Sequence, residues 1–157
     1  MTILYHGTMS PEELIREEGL LVFTPQSLRD HLLRVAGTPG KLKSQLERAL
    51  TSGLLKRGFS GAEPGVLCLT TSLEEAEHYI SSPGELIDSV ISLLPERLWF
   101  ELESLIGVSG KIVVVDIPDE WLMDPRVRRL RSVEDESEEV QIPWDIEPQY
   151  IKEIIPM

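Results

Sequence analysis

Lys111–Ile117, "KIVVVDI", is the clearest strand in this chain, and what surrounds it narrows the folds open to it. Its β-branched run fits a pleated, packed surface. Regular helices between such strands would build a doubly wound parallel sheet, but helices and strands here do not alternate regularly. Thr2–Tyr5, Val66–Thr70, Glu139–Ile142 and Tyr150–Ile155 read as further short strands, scattered among helical stretches of unequal length. That pattern predicts an α+β domain, and 157 residues are about the length of one.

Two helix starts are written into the residues. Ser10-Pro11-Glu12-Glu13 offers a Ser N-cap, a proline at the first helical position and a glutamate at the third, with Gly19 closing the helix. Ser72 and Glu75 repeat the capping box ahead of a second helix. Residues 27–35 and 41–57 are expected to be helical around the Gly37–Gly40 turn, as an insertion at about 27–57. Residues 85–106 form an apolar helical region interrupted by Pro95, and Val133–Glu138 is expected as an acidic loop.

Composition matters for what it excludes. Hydrophobic residues at 41% and charged residues at 27% describe a globular chain, and no run nears the roughly 18 apolar residues that span a bilayer. With one cysteine and no signal-like N-terminus, a reducing cytoplasm is the expected location, with no membrane partner. The net charge of −12 argues against nonspecific nucleic-acid binding. It is uneven: residues 1–60 carry eight Lys/Arg against six Asp/Glu, and the remainder seven against twenty-one. Lys41, Lys43, Arg48, Lys56 and Arg57 form a basic run that is either a solvated face or a border to an acceptor.

Several chemistries drop out. His6, His31 and His78 are far apart and belong to no H-E-x-x-H or Cys-His cluster, so no metal is expected. Nucleophile-elbow, P-loop and G-x-G-x-x-G patterns are absent. Cys68 lies in an apolar strand, where a small buried side chain is the expectation, and His78 reads as a surface residue.

Four features remain, in order: "LYHGT" with its capped helix and Gly19-Leu20, "GVLCLTTSLEEAEHYI", "KIVVVDIP", and "EEVQIPWDIEPQYIKEI". In these the chain resembles the ADP-ribosyltransferase superfamily, which includes poly(ADP-ribose) polymerases, diphtheria-type toxins and RNA 2′-phosphotransferases. The resemblance spans nearly the whole chain as an order of elements and about thirty residues as motif. It implies two small sheets framing a cleft for NAD, with the helical region added. NAD would be the substrate, and an unidentified macromolecule, a protein or a nucleic-acid end, the acceptor of one ADP-ribose unit.

Under the resemblance, His6 hydrogen-bonds a ribose hydroxyl, Gly7 offers bare backbone to the nicotinamide carboxamide, and Thr8 supports the pocket with its hydroxyl. Tyr79 packs over nicotinamide, while Thr71 and Ser72 are candidates for a carboxamide or phosphate contact, with Ser72 also a helix cap. Glu139 or Glu138 holds the 2′-hydroxyl of the nicotinamide ribose and stabilises the oxocarbenium-like transition state. Neighbours on a strand face opposite ways, so at most one of the two points into the cleft, facing the His6 ring. Glu139 is preferred; if Glu138 holds the place, Glu136 completes an E-x-E pair. Taken alone, His6 reads rather as a satisfied core histidine and Gly7 as a bulge; the other three features shift the reading toward a site. Polymerase-type members carry a strand tyrosine where this chain has Leu67 or Cys68, which favours mono-transfer or NAD hydrolysis over polymer synthesis. The alternatives are a non-catalytic NAD or ADP-ribose-binding module and, more distantly, an RNA 2′-phosphotransferase-like enzyme, although the latter's middle-strand histidine is missing here.

Overall fold

The computed structural model describes residues 1–8, 10–22, 40, 43–45, 47–48, 66–80, 96 and 110–157. Met1–Val22, Gly65–Ser81 and Ser109–Met157 form one compact unit, and Phe23–Pro64 with Ser82–Val108 a second. In the second, residues 43–45, 47, 48 and 96 are helical, and Ser44 N–H donates to the Gly40 carbonyl at 3.0 Å. The rest of the helical regions expected at 27–57 and 85–106, and most of the basic run, lies outside the described residues.

The first unit is a mixed α/β arrangement on one antiparallel sheet. Its strands are β1 (Thr2–Thr8), β2 (Leu67–Thr70), β3 (Lys111–Ile117), β4 (Arg128–Arg131), β5 (Glu138–Ile142) and β6 (Ile151–Pro156), in the order β4-β5-β2-β1-β3-β6. Where the resemblance implies two small sheets, the described strands form this single six-stranded one. β3 is buried along almost its whole length, as its unbroken apolar run requires.

Period-two alternation then sorts the side chains. Leu4, Leu67, Leu69, Val113, Val115, Val140, Ile142 and Ile154 point to one face, where they pack with Ile15, Leu20 and Ile146 into the main core. Trp121 packs edge-on against Trp144 (5.5 Å) and Tyr150 (4.8 Å) at the margin of that core. Cys68, between Leu67 and Leu69, turns the other way and is exposed, against the expectation of a buried thiol.

α1 (Glu12–Glu18) starts one residue later than its capping box suggests. Pro11 occupies the cap position without a side-chain bond, because Ser10 is drawn back to Thr8: its N–H donates to Thr8 Oγ1 and its Oγ accepts from the Thr8 hydroxyl. Gly19 ends the helix at φ 82°, left-handed backbone that only glycine adopts readily. That turn delivers Leu20 to an antiparallel bridge with Ile146, closed by two hydrogen bonds of 2.9 Å. α2 (Leu73–His78) is capped as expected, Ser72 Oγ accepting from Glu75 N–H at 3.2 Å, and His78 is exposed. The one-turn α3 (Asp119–Leu122) follows β3.

β4 has no counterpart in the sequence reading. All four of its residues are exposed, so it has no hydrophobic alternation to detect. Its pairing with β5 is set by the acidic turn between them, where Ser132 N–H donates to the Ser137 carbonyl (2.8 Å) and Asp135 Oδ1 accepts from the Ser137 N–H and hydroxyl. The signal that was there is cross-strand charge: Arg129 on one side of the turn and Glu138 on the other join in an ion pair of 2.6 Å.

Candidate functional site

The sheet is thinnest between β1 and β2. β1 is registered with β3 from Thr2↔Ile117 through Thr8↔Lys111, and β2 with β5 from Leu67↔Ile142 through Thr70↔Glu139. Between β1 and β2 the register is a single pair, Tyr5↔Thr70. The sheet therefore consists of two three-stranded ladders, β4-β5-β2 and β1-β3-β6, joined at one point.

His6 follows that point directly. Its Nδ1 lies 2.8 Å from the Cys68 carbonyl on β2. A carbonyl oxygen only accepts, so Nδ1 carries the proton and donates. Burial of the ring lowers the His6 pKa, opposed by this hydrogen bond, which favours the neutral imidazole with a lone pair on Nε2. A polar ring at this position thus takes a backbone acceptor across the joint, and its second nitrogen can accept from a hydroxyl.

Directly opposed residues of antiparallel strands share a face. Tyr5, Thr70 and Glu139 accordingly form a row across β1, β2 and β5, on the face away from the main core. Gln141, two residues beyond Glu139 and on the same face, donates from Nε2 to Glu139 Oε1 at 2.9 Å. Glu138 points the other way and is held by Arg129, whose Nε and Nη2 reach its Oε2 at 3.0 and 2.6 Å. Strand alternation puts His6 with Leu4 and Thr8, so His6 and Glu139 do not share a sheet face as the resemblance implies. Only the reach of the His6 ring to the Cys68 carbonyl brings it to the joint.

α2 covers the Glu139 side. A Cβ on Gly7 would overlap the Ala76 carbonyl oxygen and stand 3.2 Å from Tyr79 Cβ and 3.1 Å from Ile80 Cγ2. The bare Cα of Gly7 is therefore used by α2, which settles against β1 there. Tyr79, just past α2, is 48% exposed. Its phenol pKa is raised first by partial burial, then by the negative fields of Glu139 and Glu75 and by Cys68.

The remaining residues named from the sequence are tied into the framework. Thr8 is buried and bonded to Ser10 in the β1–α1 turn, away from the Glu139 row. Thr71 Oγ1 accepts from Glu138 N–H at 2.9 Å, and its own N–H donates to the Glu138 carbonyl at 3.0 Å. Ser72 caps α2, and its N–H donates to Thr70 Oγ1 at 3.1 Å. The structure thus gathers Gly7, Tyr79 and Glu139 on one side of the joint and adds Tyr5, Thr70 and Gln141, which are not among the residues expected from the sequence. Gln141 had a sequence signal, since i and i+2 on a strand share a face; Tyr5 needed the register.

Among the described residues no three His, Cys, Asp or Glu side chains cluster as a metal site would, and no helix is long and apolar enough to cross a membrane. Comparison with protein-family models, curated proteins and solved structures finds no match to this chain.

Proposed function

We propose that this chain transfers one ADP-ribose unit from NAD to a macromolecular acceptor, a protein or a nucleic-acid end, with release of nicotinamide. The observation that carries the reading is the joint between β1 and β2. The sheet is nearly parted there: a neutral His6 reaches the joint from the main-core face through the Cys68 carbonyl, while the exposed Tyr79 and Glu139 lie on the other face. His6 Nε2 accepts a hydrogen bond from a ribose hydroxyl of the dinucleotide. Tyr79 offers its ring to the nicotinamide. Glu139 takes the 2′-hydroxyl of the nicotinamide ribose and stabilises the positive charge that grows at the anomeric carbon as nicotinamide departs. Glu138, bound to Arg129, is the poorer candidate for that role. The ADP-ribosyltransferase fold with two sheets framing an NAD cleft, and a reducing cytoplasm as the setting, belong to the same proposal.

The test is nicotinamide release from NAD by the purified protein, with and without cell extract, followed by mass spectrometry of extract incubated with labelled NAD. Release that rises with extract, and an ADP-ribose adduct on a protein or nucleic acid, support transfer. A second reading is favoured by a specific observation: His6 and Glu139 stand on opposite sides of the register, which suits binding of NAD or ADP-ribose without catalysis. NAD binding by calorimetry with no nicotinamide released would select it.

A further inference from the structure

We infer that Gln141 is a positioning residue that fixes the rotamer of Glu139 for the transition state. This rests on the reading of Glu139 as the carboxylate that meets the nicotinamide ribose. Gln141 stands two residues along β5 from Glu139, and its Nε2 donates to Glu139 Oε1 at 2.9 Å. In the sheet, Gln141 stands opposite Cys68 on β2 and Arg128 on β4. Its own carbonyl oxygen is buried and accepts no hydrogen bond from the described residues.

That orphaned acceptor is the informative detail. Leaving a buried acceptor unmade costs about 1–3 kcal/mol, so an amide with a free choice would turn its oxygen toward a donor. Turning it here would press Gln141 Oε1 against a Glu139 oxygen, acceptor against acceptor. The orientation is therefore dictated by the carboxylate, and the pair acts as a unit. With Oε1 occupied, Oε2 is the oxygen left to meet a ligand hydroxyl. A carboxylate held in one rotamer needs no reorganisation as charge develops, which is where preorganised groups contribute most to rate.

The experiment is a double-mutant cycle read by nicotinamide release. Gln141→Met keeps the length of the side chain and removes the donor; it should lower kcat about tenfold or more, the worth of a charge-assisted hydrogen bond. KM for NAD should stay within about twofold, because the contact is spent in the transition state rather than in binding. Gln141→Asn, which withdraws the amide by one methylene, should show the same loss. In the Glu139→Gln background, Gln141→Met should lower the residual rate by less than about twofold, since the group it positions has lost its charge. A merely structural role would instead multiply the two losses and raise KM. Multiplied losses, or full kcat in Gln141→Met and Gln141→Asn, would overturn the inference for Gln141 and leave Glu139 standing. Absence of nicotinamide release by the unaltered protein would overturn both.

Discussion

Gly7→Ala separates a glycine kept for packing from one kept only for a ligand. Two effects oppose one another. Gly7 is not at positive φ, so alanine suits its backbone and stabilises by about 0.4–1 kcal/mol through a less flexible unfolded chain. Against this, the added methyl overlaps the Ala76 carbonyl oxygen, which is helix backbone and cannot swing aside as a long side chain would. Ile80 Cγ2 at 3.1 Å and Tyr79 Cβ at 3.2 Å close off the two neighbouring directions. Overpacking of this kind costs about 1–3 kcal/mol, and with a backbone partner the upper part of that range applies. The net is a destabilisation of about 1–2 kcal/mol, or roughly 2–8 °C in Tm for a chain of this length. Differential scanning calorimetry measures it, and hydrogen exchange should show faster opening of α2 amides in the variant. A Gly7→Ala protein that melts at or above the Tm of the unaltered chain would mean that the entropic gain wins. The close seating of α2 on β1 would then be refuted.

Glu139→Gln should leave NAD affinity within about twofold in calorimetry while turnover falls about 10²–10³-fold, as loss of one transition-state charge contact does. Glu138→Gln should keep turnover and cost about 0.2–1 kcal/mol in denaturant melts, the range for a partly exposed ion pair such as that with Arg129. His6 should make stability pH-dependent: its pKa is lowered on folding from the ordinary 6.5, so the folded state binds fewer protons. Its contribution is complete above pH 6.5 and is lost as pH falls through the lowered value; His6→Asn should flatten that acid limb in melts at pH 5–8, and an unchanged limb would count against the neutral, half-buried ring bonded to the Cys68 carbonyl. Gly19→Ala should cost about 1–3 kcal/mol in the same melts, because alanine resists the left-handed backbone and its Cβ would overlap the Ile146 carbonyl beside the Leu20 bridge.

Much of the framework is legible one element at a time. The Lys111–Ile117 strand, the Ser72 cap and the Gly19 stop are all local physics: propensity, orphan N–H groups and a backbone angle that a side chain resists. The motif residues could be nominated in the same way, because a histidine and a glycine break an apolar strand visibly. What local pattern cannot convey is which strands meet. The row Tyr5–Thr70–Glu139 joins residues more than sixty positions apart, and a one-residue slip would send each to the opposite face. So the separation of His6 from Glu139, the exposure of Cys68 and the use of Gly7 by α2 were decided by pairing and packing. The same holds for Ser10, whose cap was lost to a hydrogen bond with Thr8, and for β4, an exposed strand that exists because β5 lies beside it. Sequence determined the elements and the residues with chemical potential; register, a property of two strands at once, decided which of them face one another.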